Sequence, residues 1–314
     1  MKKNIIISTF LIALSLISCA KDNTKDDERM EIPEDLVFNP IWVTGLYEGG
    51  DRWLYPWKGE HVMLLSYSKD LDRGTMQTWV GWCDKIYEFY NECTGSTREG
   101  GPEFDGCLPI IQYRGTGAAA VAWVGGVGIY MEVEYFDGAY KAVQEGYCWG
   151  LNAYEMGRNF WSYYSKLGDE PWCTGFSVYF ESAALEAKGI PDKNEETREA
   201  YTEYMNTPGA RFDNTLGQNI GIGGWSSNSL FAAFCLKLMD TFGDKWTYNV
   251  WKQVGARPDA QNDQERQDNF IIASSIAAGY DLCDLFEYWR WTVSDNAKDI
   301  IKGYGFPVFN PSSL

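Results

Sequence analysis

Histidine is all but missing, with His61 the one imidazole in 314 residues. That scarcity rules out a multi-histidine metal centre and leaves His61 read as structural or merely exposed. Basic residues are also short, 27 against 44 acidic ones, for a formal charge of −17. Such a surface repels phosphate backbones and anionic lipid, so nucleic acid is not expected as a partner. There is no C-x-x-C pair, so neither a zinc knuckle nor a thioredoxin-like motif is supported. Beyond the N-terminal stretch, no segment approaches the roughly 18 uninterrupted apolar residues of a membrane span. The Gly-rich run at 115–126 lacks the lysine of a phosphate loop and no helix is expected after it. Its small residues are read instead as room for another backbone to come close.

Aromatic residues, by contrast, are abundant, with 14 Trp, 20 Tyr and 16 Phe. Most are expected in the core, and the rest could stack on sugars or apolar side chains. At the N-terminus, Lys2 and Lys3 precede the apolar run from Ile5 to Leu16, the pattern of a secretory signal too short to span a bilayer. It ends in Leu16-Ile17-Ser18-Cys19, which resembles the bacterial lipobox. The resemblance implies cleavage after residue 18, lipidation of Cys19 and, with Ala20 following, anchoring in the outer membrane on its periplasmic or surface side. Residues 20–35 are charged and nearly free of apolar side chains, so a flexible tether is expected over 19–40. The acidic run Lys25-Asp26-Asp27-Glu28 is similar to export signals of some surface lipoproteins, and reads equally as a solvated charge run. Seven further cysteines remain, an odd number. Cys93 with Cys107 and Cys148 with Cys173 are the disulfide pairs to test first, although spacing cannot fix connectivity.

Periodicity gives the next elements. Strands are expected over 60–67, 108–113 and 127–135; in the last, Val127, Ile129, Met131 and Val133 alternate with polar neighbours that include Glu132 and Glu134. Between 75 and 93, Met76, Trp79, Val80, Cys83, Ile86, Tyr87 and Tyr90 recur at three and four, an amphipathic helix that Gly95 ends. A helix over 172–188 stops at the Gly189–Pro191 break, which is taken as the domain boundary. After it, helices are expected over 197–205, 225–242, 245–254, 263–278 and 282–291.

Most informative is the helical stretch 148–161. Its residues Tyr154-Glu155-Met156-Gly157-Arg158-Asn159-Phe160 resemble, position for position, the H-E-x-G-H-N-F active helix of zinc metallopeptidases. Tyr154 and Arg158 stand where that family has its two zinc histidines. The resemblance implies that Glu155 holds the place of the glutamate that activates metal-bound water. In the gluzincin branch a third ligand lies on the next helix, where Glu181 is the best match and Glu186 the runner-up. Tyr154 could ligate only as a phenolate and Arg158 not at all. No metal or other cofactor is therefore expected, and Arg158 is expected to face Glu181 in the metal's place. In this family an edge strand beside the helix pairs with extended substrate, and residues 115–126 stand in the right chain order for it. Tyr154, Arg158, Trp123 and Glu132 are the binding residues this implies.

The C-terminal part is similar to the helical lobe of enhancin-like and related gluzincin peptidases. The similarity rests on Asp268-Asn269-Phe270, Ser274-Ser275, Ala277-Ala278-Gly279, Asp281-Leu282, Leu285-Phe286 and Trp289-Arg290-Trp291-Thr292-Val293-Ser294. The expected fold class is α+β, with a zincin-like domain (small sheet plus active-site helix) at 41–188 and a mostly α-helical lobe at 189–314. The expected function is a metal-independent, non-peptidase lipoprotein that binds peptide or glycan in the ancestral cleft. Its site would then be either a relic that stabilises the core or a working ligand site. Two alternatives stay open: a glycosidase-type hydrolase using Glu155 and Glu181, and a metallopeptidase with atypical ligands.

Overall fold

The computed structural model describes residues 41–43, 52–193 and 196–313. The signal segment, Cys19 and the tether lie outside these residues. The strands are β1 Ile41–Val43, β2 Arg52–Lys58, β3 Val62–Ser66, β4 Leu108–Tyr113, β5 Ala120–Ala122 and β6 Ile129–Glu132. They form one sheet in the order β1-β2-β3-β4-β6-β5. β3, β4 and β6 run parallel in the middle, and antiparallel pairs close both flanks. β3 and β4 are buried along their whole length because both sheet faces are apolar. Val62, Leu64, Leu108 and Ile110 join the main core, while Met63, Leu65, Ile111 and Tyr113 pack with Val43, Leu54 and Cys107 on the opposite face.

Helix α1, Arg73–Thr94, covers the main-core face. Asp72 caps it by accepting the Thr75 amide at 2.8 Å, and Gly95 ends it at φ 71°, a conformation glycine adopts without strain. Every apolar residue expected to face inward from it is buried. The strand expected over 127–135 is shorter, because the chain turns into α2, Val133–Gln144, directly after Glu132. Phe136, Ala139 and Val143 make a helical stripe that the preceding alternation conceals.

The helices that follow are α3 Leu151–Phe160, α4 Tyr164–Leu167, α5 Trp172–Ala187, α6 Glu199–Asn206, α7 Ser227–Phe242, α8 Asp244–Thr247, α9 Val250–Gly255, α10 Asp263–Ala278, α11 Cys283–Tyr288 and α12 Asp295–Gly303. The segment 245–254, expected as one helix, divides into α8 and α9. Helix α12, capped by the Ser294 hydroxyl, was not expected. None of these helices is long and apolar enough to cross a membrane.

The break at 189 does not interrupt the core. Phe176 of α5 meets Trp251 of α9 edge to face at 4.6 Å, and Trp172 meets Phe231 of α7 and Phe270 of α10 at 4.8 and 5.8 Å. Most of the surplus aromatics belong to this network, as expected.

Neither expected disulfide forms, and all seven described cysteines are free, buried thiols. Cys93 belongs to the main core, whereas Cys107 belongs to the cluster on the other sheet face. Cys148 precedes the start of α3, while Cys173 touches Arg158 near its end. That separation is about two helical turns, too far for a bridge.

Candidate functional site

Helix α3 is held in place from three sides. Against α5, a side chain at Gly157 would come within 2.6 Å of the Ser177 hydroxyl, and one at Gly150 would collide with the Glu181 carboxylate. These two glycines allow the helices to pack closely. From α1, the Tyr90 hydroxyl donates to the Ala153 carbonyl at 2.8 Å. On the sheet side, Asn159 donates from one amide nitrogen to the carbonyls of Trp123 and Gly128, and the Gly125 amide donates to the Arg158 carbonyl. The β5–β6 turn is thereby fastened to the last turn of α3. As expected, β5 is an edge strand lying beside the helix.

Tyr154 and Arg158 are one turn apart and share a face. The Arg158 Nη2 donates to the Tyr154 hydroxyl at 2.9 Å, and Nη1 lies 3.6 Å from Cys173 Sγ and 3.8 Å from Glu170 Oε1. Glu170 is in turn held by the Thr174 hydroxyl, and the Asn228 side-chain amide, assigned with its nitrogen toward the carboxylate, donates to Oε2 at 2.8 Å. Burial disfavours the Arg158 cation, but Tyr154, Cys173 and Glu170 outweigh it and keep the guanidinium protonated. Burial also raises the Tyr154 phenol, against the pull of Arg158. The Cys173 thiol is pushed up to about 11 by burial, with Arg158 opposing.

This geometry corrects one expectation. The ion-pair partner of Arg158 is Glu170, ahead of α5, and not Glu181. The Glu181 carboxylate lies over Gly150, about two helical turns before Arg158 along α3. Glu186 is further removed, paired with Arg198 at 2.8 Å. Glu170, Cys173, Thr174 and Asn228 were not anticipated as site residues, because Glu170 lies in the turn ahead of α5, where no helical spacing marks it.

Glu132 also has a job of its own. Its Oε2 accepts the Gly115 and Thr116 amides and the Thr116 hydroxyl, pinning the loop that leads into β5. Slight burial would raise this carboxyl, but the hydrogen bonds hold it below its usual range. The carboxylate thereby anchors the loop that feeds β5. Trp123 is 51% exposed beside β5, its carbonyl held by Asn159.

Zinc held as in the resembled helix needs neutral imidazoles at 154 and 158. A raised phenol and a protonated guanidinium do not meet that requirement, so the residues present do not fit the metal.

Glu155 is 6% exposed. Burial pushes its carboxyl up to about 7; Arg158 and the Ala122 amide act against this and Glu181 adds to it. The folded state thus prefers the protonated form. Its stabilising contribution is complete below about pH 4.5 and is lost as pH rises through about 7. Relative to Glu155→Gln, wild type should lose about 2–3 kcal/mol of stability between pH 4.5 and 8. Urea unfolding of both proteins across that range checks this, and a difference independent of pH would contradict it.

No family model and no curated protein matches the chain. Solved structures do match. A mutant of a functionally unknown conserved protein from Bacillus anthracis str. Ames superposes with TM-score 0.64 at 15% identity, over 87% of this chain and 58% of that one. The ZmpB metallopeptidase from Clostridium perfringens gives 0.56 at 16% identity, over 82% and 50%. A metallopeptidase in complex with Tn antigen gives 0.54 at 15% identity, over 82% and 52%. The chain thus spans only about half the length of these structures. What is shared at this identity is the fold: the chain has the α+β, zincin-like fold of these metallopeptidases.

Proposed function

We propose that this chain is an envelope-anchored lipoprotein whose zincin-like cleft binds a peptide or glycan without zinc-peptidase activity. The observation that carries this reading is the Arg158 guanidinium, enclosed by Tyr154, Cys173 and Glu170 at the turn where the resembled helix has its zinc histidines. A fixed cation there substitutes for the charge of the metal but brings no ligand field and activates no water. β5 supports an extended peptide ligand, since no described strand pairs with its outer side. The exposed Trp123 indole next to it supports stacking on a sugar or apolar group. The likeness to a metallopeptidase solved with Tn antigen supports a cleft ligand of that kind.

A hydrolase using Glu155 and Glu181 as acid and base is the second reading, favoured by the raised Glu155 carboxyl. Its 6% exposure weighs against contact with a substrate.

Anchoring rests on Leu16-Ile17-Ser18-Cys19. Fractionated cells should carry wild type in the outer membrane and Cys19→Ala in the soluble fraction. An unchanged membrane fraction for Cys19→Ala would overturn the anchor.

For the cleft, purified protein on a peptide and glycan array should retain ligands that Arg158→Ala loses by about tenfold or more, the loss of one charged hydrogen-bonding group. Hydrolysis of those ligands should stay at the Glu155→Gln background, with or without chelator. Equal binding by both proteins would remove the cleft from the reading. Turnover abolished by Glu155→Gln would establish a hydrolase, and turnover also abolished by chelator would make it a metallopeptidase.

A further inference from the structure

The single imidazole of this chain stands apart from the cleft, where β3 begins. The donor atoms of Glu60, His61 and Glu88 lie within 4.8 Å of one another, and His61 Nε2 is 3.9 Å from Glu60 Oε1. Two of these residues precede β3 and the third is on α1. Their backbones are already tied together: Asp84, one turn before Glu88, accepts the amides of Glu60, His61 and Val62 at 2.8–2.9 Å. The His61 ring stacks on Tyr87 with centroids 4.9 Å apart and planes 16° apart, so its orientation is set. The three groups open onto a cavity of about 590 Å³ that Glu92, Glu99 and Asp105 also line. Of the nearby cations, Lys188 lies closer to Glu92 (3.1 Å) than to Glu88 (3.7 Å), and Lys58 pairs with Asp105. Carboxylates therefore outnumber basic groups around the imidazole.

We propose that Glu60, His61 and Glu88 form a site for a divalent cation of the zinc class. Two carboxylates and an imidazole nitrogen suit borderline transition-metal ions. Magnesium and calcium prefer all-oxygen shells. Glu60 is 79% exposed, so its side chain has room to turn toward the other two donors. Three protein donors leave a position for water. A cation there cross-links the start of β3 to α1, and by binding only the folded chain it stabilises it. The site is independent of the cleft and of the reading given for it.

Zinc titration of the purified protein at pH 7.5, by calorimetry and by NMR of the imidazole, tests this. With one histidine in the chain, a single ring Hε1 signal reports on the site. One equivalent of zinc should bind and shift that signal, whereas magnesium should leave it in place. His61→Gln and Glu88→Gln should each weaken binding about tenfold or more, with circular dichroism confirming the fold, while Glu134→Gln, at an exposed carboxylate on α2, should bind as wild type does. Absence of saturable binding below about 100 µM zinc, affinity unchanged by His61→Gln, or affinity lost with Glu134→Gln would each overturn the proposal.

Discussion

A guanidinium largely withdrawn from water needs a compensating anion and filled hydrogen bonds, and that requirement organises the centre of this molecule. Arg158 meets it through Glu170, the Tyr154 hydroxyl and the edge of Cys173. Glu170 in turn needs Thr174 and Asn228, which brings α5 and α7 into the same network. One charge on α3 thus links the sheet-bearing half of the chain to the helices beyond 189. Glu155, next to Tyr154 and nearly without access to water, is driven toward its neutral form. The site is built as a charge-neutral cluster and not as a ligand shell around a dication.

The edges of the site follow from the same packing. Gly157 and Gly150 let α5 press against α3, and Asn159 fastens the β5–β6 turn to the last helical turn. Glu132 holds the loop that feeds β5. What is left open between these fixtures is a short edge strand with an exposed indole beside it. Such a surface can accept an extended chain by backbone pairing and a ring by stacking, neither of which needs a metal.

Helices with clear ends were legible in the sequence: α1 from its three-and-four stripe and Gly95, and α10, which is buried on all sides, from its acidic first turn and Gly279. β4 was legible as a short apolar run. Helix α2 was not, because Val127 to Val133 alternates like a strand while the stripe of Phe136, Ala139 and Val143 starts only beyond it. Positions 154, 155 and 158 were legible from their resemblance to a known helix. Glu170 was not, since nothing local reveals which acidic residue a half-buried cation will meet when its partner comes from a turn. The disulfide candidates failed for a related reason: sequence spacing carries no information about which sheet face a side chain occupies.

The pairing of Arg158 with Glu170 is the claim on which this account stands. A double-mutant cycle of Arg158→Gln and Glu170→Gln, read by urea unfolding at pH 7, measures it most directly. The account predicts a coupling of at least about 1 kcal/mol, with each single change more damaging than its share of the double. Additivity within about 0.3 kcal/mol would contradict it, because the guanidinium would then owe nothing to that carboxylate.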